Sequence, residues 1–420
     1  MKIPYVKNIH NNLKSLSFKN LHSIVTEGVN ADIDNLDNVR IFILDQLPSV
    51  KPEKRIINVY KANDIIFYYV EGGILYYQRL YGSLQCIDDT FSSMPIIIPV
   101  NINGKKAAFV KKLSGMAYLV DGGANYQAYT LPSGHLMCEY NNMLFIADGN
   151  TLLFSTIGDY TDFTMDLNHG GYINLNAVEG QIMIMATVSD KLILFTEKAI
   201  YEFIAIGKRL DYKLERVMEI ENRHINYNSV KPCLEQVVFV ENDKLYAYKN
   251  GIIEQIDSCL DQGKYSTCNS FGYKDNVYYI LLRDQNSSYS ILRYDFDGHR
   301  QCLIPCNNCS VNNEGLFVDK NKDLYVDFQI HSPYMKGTLN CKEMDFDCAK
   351  DKVIHKISMY SELDGILTVK SDIGEKTFKL KKGVNVKRMN IPTSSLWLSF
   401  TGGNGFFVDN IKIEYRIKEG

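Results

Sequence analysis

The residues whose spacing comes nearest to a metal site are Cys302, Cys306 and Cys309 in CLIPCNNC, followed by Cys341 and Cys348. Cys306 and Cys309 have the C-x-x-C spacing that lets two thiolates share one tetrahedral ion. The second half of the pattern, C-x6-C, is wider than a zinc ribbon uses. Free thiols in a loop are therefore expected, with no metal and no cofactor. Ten cysteines in 420 residues, without an apolar leader, read as reduced thiols and not as a disulfide framework.

Carboxylates are the next candidates. Asp121, Asp148, Asp159 and Asp297 each sit beside or near a glycine, where the side chain bonds its own backbone in a turn. Asp32, Asp34 and Asp37 in ADIDNLDN have the opening rhythm of a calcium loop. Position twelve from Asp32 is Ile43 where a bidentate Glu is needed, and no Gly occupies position six, so the stretch reads as a solvated loop. Lys376, Lys379, Lys381, Lys382, Lys387 and Arg388 alternate with apolar positions, as on a solvated strand face. No G-x-S-x-G elbow, H-E-x-x-H helix, Walker A loop or post-strand G-x-G-x-x-G is present, and the eight His are scattered. No catalytic, cofactor-binding or metal-binding residue is assigned, and a non-enzyme is expected.

The elements that hold these residues read as strands throughout. The stretch Asn141 to Phe163, NNMLFIADGNTLLFSTIGDYTDF, places Asp148, Gly149 and Asn150 between two apolar runs, the strongest short hairpin signal. RIINVYKANDIIFYYVEGGILYYQRLYG from Arg55 reads as a three-stranded meander. Pro95 and Pro99 make MPIIIPVNINGKKAAFV an edge or a crossing link, because Pro donates nothing to a ladder. Hairpin units recur every ~40–50 residues from Ile57 to Ile330, the period of propeller blades, which suggests five to seven of them. The stretch from Lys336 to Lys350 is polar and aperiodic and reads as a link. Beyond it, six alternating runs with turns at Asp364-Gly365, Gly383 and Gly402-Gly403 describe a small β-sandwich.

The expected architecture is all-β: an N-terminal segment 1–54, a β-propeller 55–345 and a C-terminal β-sandwich-like domain 346–420. Sialidase Asp-boxes and WD repeats need a Trp in most blades, whereas Trp397 is the single Trp here and lies outside the repeats. A formal net charge of -3 gives no basic footprint for sequence-specific nucleic-acid binding. The opening MKIPYVKNIHNNLK has no apolar core or cleavage site, and no window approaches a membrane span, so cytoplasmic synthesis is expected.

TLLFSTIGDYTDF, Thr151 to Phe163, resembles a segment of the β-propeller tail proteins of short-tailed bacteriophages, the packaged-DNA stabilisation and tail-nozzle proteins. Ser189 to Gly207, SDKLILFTEKAIYEFIAIG, and HKISMYSELDGILTVKSDIGEKTFKL are similar to further parts of that family. The resemblance implies a structural virion protein, a nozzle or head-to-tail adaptor, assembled in the host bacterial cytoplasm. It implies a ring of copies of itself, a hexamer, contacting portal, adaptor and other tail proteins. Double-stranded DNA would be retained by the ring and pass through it without sequence specificity. The competing expectation is a carbohydrate-binding or depolymerising propeller, whose mark would be paired carboxylates and exposed aromatics at one end of its channel.

Overall fold

The computed structural model describes residues 14–20, 25–29, 31–33, 39–47, 49–79, 82–102, 104–123, 125–166, 169–205, 211–256, 258, 260, 263–297, 300–330, 336–341, 343–344, 346, 352–403 and 405–417. Among these the structure is strand, turn and short 3-10 helix, with no α-helix. By contact the chain forms two compact units, one of Asp45–Ile291 with Cys306–Val326, the other of Met1–Leu44, Leu292–Pro305 and Asp327–Gly420.

The first of these units is a succession of antiparallel meanders. Five have four strands in sequence order. They begin at Ile56–Ala62, Ile96–Ile102, Leu136–Tyr140, Ile182–Val188 and Ile225–Cys233. A sixth starts with Tyr265–Lys274 and Val277–Asp284, and a seventh with Cys309–Asn312, Leu316–Asp319 and a strand from Leu324. The first strands of the seven touch one another in order, and the 3-10 turn Asn313–Gly315 of the seventh sheet touches the first strand of the first sheet. Seven sheets thus stand around a common axis and close on themselves, consistent with a β-propeller.

The pattern behind each meander is local. Between first and second strands the turn holds residues with positive φ: Asn63 (55°), Asn141 (52°) with Asn142 (56°), Ser189 (50°), Leu234 (55°), Asp275 (51°) and Glu314 (59°). Tight hairpins require this conformation and Asn and Asp tolerate it best, so Leu234 and Glu314 are held there by their surroundings. The hairpin expected at Asp148 forms, with Asp148 opposite Thr151 and Gly149 at φ 60°. Pro99 lies on an edge strand, as its missing donor demands.

Second strands are buried on both faces: Ile65–Val70 is buried at every position, as are the apolar residues of Met143–Ala147. Adjacent sheets share cores, among them Phe67, Leu75 and Tyr77 with Ala108 and Val110, and Phe145 and Phe154 with Leu194 and Phe203. Closure has its own core, where Val59, Ile66 and Tyr68 of the first sheet pack on Leu316, Val318 and Leu324 of the seventh. Gly272 marks a tight approach, since a Cβ there would lie 2.1 Å from the Asn312 carbonyl oxygen.

In the other unit, Lys14–Asn20, Val408–Ile417, Lys352–Ser361 and Gly383–Thr393 form one sheet in the order first, last, then the two between. Val25–Val29, Lys336–Cys341, Leu396–Gly403, Gly365–Ser371 and Gly374–Leu380 pair successively in another. Leu339, Ile357, Leu367, Leu398, Phe400 and Ile413 share its core.

Two expectations are corrected in this unit. The stretch read as aperiodic from Lys336 begins with a strand whose burial alternates, because Gly337, Leu339 and Cys341 face inward between polar neighbours. Asp32, read as loop, lies in strand Ala31–Ile33 paired with Arg40; Asp34 and Asp37 lie outside the described residues.

Candidate functional site

The turns between first and second strands come together at one mouth of the axis. Lys61, Asn63 and Asp64 from the first sheet, Lys106 from the second, Tyr273, Lys274 and Asp275 from the sixth, and Glu314 from the seventh line a cavity of about 520 Å³. Glu314 organises it. Its Oε1 accepts from the Asn63 backbone N–H at 3.1 Å, Lys61 Nζ donates to its carbonyl at 3.3 Å, and its Oε2 lies 3.8 Å from the same ammonium. The Asn63 side chain donates to Ala107 O at 2.8 Å and Val100 O at 3.2 Å, tying the first sheet to the second.

Burial lowers the Lys61 ammonium below its usual value, with Lys274 adding to the effect and Glu314 opposing it. Burial, then Glu314, pushes the Tyr273 phenol up to about 12. The mouth therefore carries three ammonium and three carboxylate groups around a phenol that stays protonated. This is a balanced polar surface suited to holding a neutral or zwitterionic polar group.

Beside this mouth projects the loop from Ser155 to Gly170, whose Gly158 N–H donates to the Asn142 carbonyl at 2.8 Å in a first-to-second-strand turn. Three aspartates build it. Asp159 accepts from the N–H and hydroxyl of Thr161 at 2.9 and 2.7 Å. Asp162 accepts from Thr156 Oγ1 at 2.8 Å and Thr164 N at 3.0 Å, and Asp166 accepts from the His169 ring at 2.7 Å. Hydrogen bonds from Thr164, then Thr156, hold the Asp162 carboxyl down at about 2. Tyr160 turns inward onto Phe109 of the second sheet, with ring centroids 6.1 Å apart, and anchors the loop. Ile157 and Met165 point out, 52% and 60% exposed, and Tyr172 and Val178 just beyond the loop are 49% and 70% exposed.

Two further cavities lie elsewhere on the sheets. Between the fourth and fifth sheets a cavity of about 230 Å³ holds the buried Glu202, which accepts from Lys191 Nζ and Tyr248 Oη at 2.7 Å each. At the opposite ends of the strands, Arg55, Glu71, Lys320 and Lys322 line an open cleft of about 580 Å³.

The structure scatters most of the residues singled out by type. Asp121 accepts from Gly123 N at 2.9 Å and Asp148 from Ser133 Oγ at 3.2 Å, both structural roles. Asp297 donates its N–H to Asp295 at 3.1 Å. Cys302 and Cys341 belong to one compact unit and Cys306 and Cys309 to the other, while Cys348 lies outside the described residues. Among the described residues no group of three or more His, Cys, Asp or Glu is arranged to hold a metal ion. Lys381 and Lys382 pair with Asp364 and Glu362 at 2.7 Å, and Lys387 Nζ donates to Lys379 O at 2.6 Å, so part of that basic run is engaged locally. Lys376, Lys379 and Arg388 remain exposed on their strands. Trp397 lies in strand Leu396–Gly403 of the second unit.

The mouth itself was missed because Lys61, Asn63, Lys106, Tyr273 and Glu314 are far apart in sequence. The available signal was their common position at the first turn of successive repeats.

Comparison with known protein families gives no match, and comparison with curated proteins gives none either. Among solved structures, the chain is similar to virginiamycin B lyase from Staphylococcus aureus, with a TM-score of 0.47 and 12% identity, covering 69% of this chain and 100% of that one. It is also similar to PorZ, a surface component of the type-IX secretion system of Porphyromonas gingivalis (0.44, 10%, 80% of this chain and 46% of that one). A chain of the mitotic checkpoint complex is similar as well (0.42, 11%, 69% and 95%). No helix among the described residues is long and apolar enough to cross a membrane. The class the structure defines is an all-β protein of repeated four-stranded sheets, consistent with a β-propeller.

Proposed function

We propose that this chain is a structural, non-catalytic subunit of a bacteriophage tail, a nozzle or head-to-tail adaptor that assembles as a hexameric ring, retains packaged DNA and borders its exit path. The six strands from Lys352 to Ile417 correspond, in this reading, to the C-terminal sandwich-like domain. The observation that carries the reading is the loop within the stretch of family resemblance. Thr151–Phe163 forms a hairpin strand and an internally bonded loop, and the loop with its flank holds out Ile157, Met165, Tyr172 and Val178. An ordered loop that presents large apolar side chains suits a contact with a neighbouring copy, since each such half-exposed side chain gains on the order of 1 kcal/mol when covered.

Two further features support it. Glu314 and Asn63 at the mouth are engaged in joining sheets, which suits a rigid building block. The net charge of -3 gives the subunit no strong grip on passing DNA. DNA would run through the hole in the ring of subunits, with no base-specific contact.

The test is reconstitution. Purified protein added to particles that lack it, and that leak their DNA, should restore DNA retention against nuclease. Particles that stay leaky, together with release of reducing sugar from a capsular polysaccharide, would replace this reading with the depolymerising propeller.

A further inference from the structure

Two thiols meet where the sixth and seventh sheets come together, with a third, Cys268, near enough to act on them electrostatically. Cys306 ends strand Arg300–Cys306 and Cys309 begins Cys309–Asn312, with Asn307 and Asn308 between them, and their sulfur atoms lie 3.8 Å apart. Cys268 sits in the irregular stretch between Thr267 and Phe271, where the sixth sheet's first strand loses register with its partner. Ser270 of that stretch accepts from the Val311 N–H at 2.6 Å, which pins the bulge to the strand carrying Cys309. The two members of the close pair differ: Cys306 is part-exposed and Cys309 is buried.

That asymmetry assigns roles. The Cys309 S–H donates to the Cys306 sulfur, which holds the Cys306 thiol below its usual value. The same contact, with burial, pushes the Cys309 thiol far up. Cys268 is raised by burial, with the nearby Arg283 opposing it. The thiolate is the attacking species in disulfide exchange, and the buried thiol is the one positioned to follow.

We propose that Cys306 and Cys309 form a reactive dithiol that takes low-molecular-weight disulfides, with Cys306 as the attacking thiolate and Cys309 as the resolving thiol. Cys306 sulfur attacks one sulfur of a disulfide RSSR, forming Cys306–S–S–R and expelling RS⁻, which picks up the proton Cys306 gave to solvent. Cys309 loses its proton to solvent and attacks the Cys306 sulfur of the mixed disulfide, expelling a second RS⁻, which is protonated in turn. Two protein thiols are oxidised to one disulfide and RSSR is reduced to two RSH. A bridge across four residues closes so short a loop that it restricts the unfolded chain little. Its consequence is therefore chemical, a site reversibly closed by oxidant, and not a structural staple.

The test uses the full chain and oxidised glutathione, read by peptide mapping under non-reducing conditions after quenching free thiols. The expected product is a Cys306–Cys309 disulfide with no glutathione left on either residue. Cys309→Ser should retain glutathione on Cys306, and Cys306→Ser should leave Cys309 unmodified, while Cys268→Ser should bridge as the parent does. In the unoxidised parent, Cys306 should alkylate on the order of tenfold faster than the buried Cys233 and Cys341. Glutathione retained on Cys306 of the parent, a Cys268–Cys306 bridge, or a Cys306 no faster than Cys233 would each overturn the assignment. The parent measurements need no variant to fold.

Discussion

The carboxylate of Glu314 and the backbone N–H of Asn63 are joined across 251 residues of sequence by a 3.1 Å hydrogen bond. Glu314 adopts φ 59° and ψ 30° to make it, in the left-handed region a Glu rarely enters. The bond joins the seventh sheet to the first. Replacing Glu314 by Ala leaves the Asn63 N–H without this acceptor and should destabilise the chain by about 1–3 kcal/mol. Thermal unfolding followed by circular dichroism should show a fall of several degrees, smaller for Glu314→Gln, whose amide oxygen still accepts.

Four other sheet-to-sheet joins repeat one device, a tyrosine hydroxyl reaching a neighbouring sheet's backbone. Tyr77 donates to Gly123 O at 3.0 Å, Tyr227 to Thr196 O at 3.1 Å and Tyr278 to Ser229 O at 2.5 Å, and Tyr140 donates to Asp190 O. Tyr278→Phe keeps the ring in its fully buried site but removes the donor to Ser229 O, and should cost about 1–2 kcal/mol in denaturant unfolding. Tyr77→Phe should cost a similar amount, and the double variant should show the sum, since the two joins share no partner.

In the unit that includes Leu292–Pro305 and Asp327–Gly420, Arg293 bonds Asp327 at 2.7 Å and Arg300 bonds Asp295 at 2.8 Å, with the Arg293 guanidinium 4.1 Å from the centre of the Phe42 ring. Burial pushes the Asp295 carboxyl up, but Arg300 and then Arg293 outweigh it and hold the group below the usual range. A carboxyl lowered on folding stabilises fully above its unfolded pKa, near 3.9, and that stability fades as pH falls through the lower folded value. Asp295→Asn should lower stability at pH 7 by about 3–5 kcal/mol, because the buried Arg300 loses its close carboxylate while Arg293 keeps Asp327. The deficit relative to the parent should shrink below about pH 4, measured by urea unfolding across pH.

Lys111 is fully buried, with Nζ donating to Gly134 O at 2.9 Å and Lys112 O at 3.1 Å, and burial brings its ammonium down to about 8 from 10.5. Between these values the unfolded chain holds a proton that the folded chain has released. Stability therefore rises with pH across that window. Lys111→Met should lose one proton's worth of that slope, which urea unfolding at several pH values would register. An unchanged slope would place the charge elsewhere.

The loop beside the axial mouth should be separable from the scaffold. Asp162→Ala removes the acceptor for Thr156 and Thr164 and should make 155–170 more susceptible to limited proteolysis while leaving the melting temperature within a degree or so. The parent loop should show the same susceptibility only near pH 2, where Asp162 protonates. Ile157→Asp with Met165→Asp should leave the fold intact and weaken assembly, as read by the ring population.

Much of the strand pattern was legible because it is local. Apolar runs such as Ile65–Val70 and the Asp148-Gly149-Asn150 turn state their conformation within a few residues. The phase of the repeat was less so: Lys336–Cys341 looks polar in sequence, yet alternates in burial once its partners Val25–Val29 and Leu396–Gly403 flank it. The mouth, and the place of Cys268 beside the C-x-x-C pair, were illegible for the same reason. Cys268 joins Cys306 and Cys309 only through a bulge and the Ser270–Val311 bond, and Glu314 reaches Asn63 only once seven sheets close. The tyrosines were read as strand formers; their hydroxyls gain meaning only when the neighbouring sheet is in place.

The most direct test of the tail-ring account is the mass of the purified full-length protein, alone and mixed with particles lacking it, by mass photometry with negative-stain imaging. The account predicts a ring near six times the 48.0 kDa chain, or particles that gain tail density and keep their DNA. A persistent 48.0 kDa monomer that never docks on such particles would contradict it.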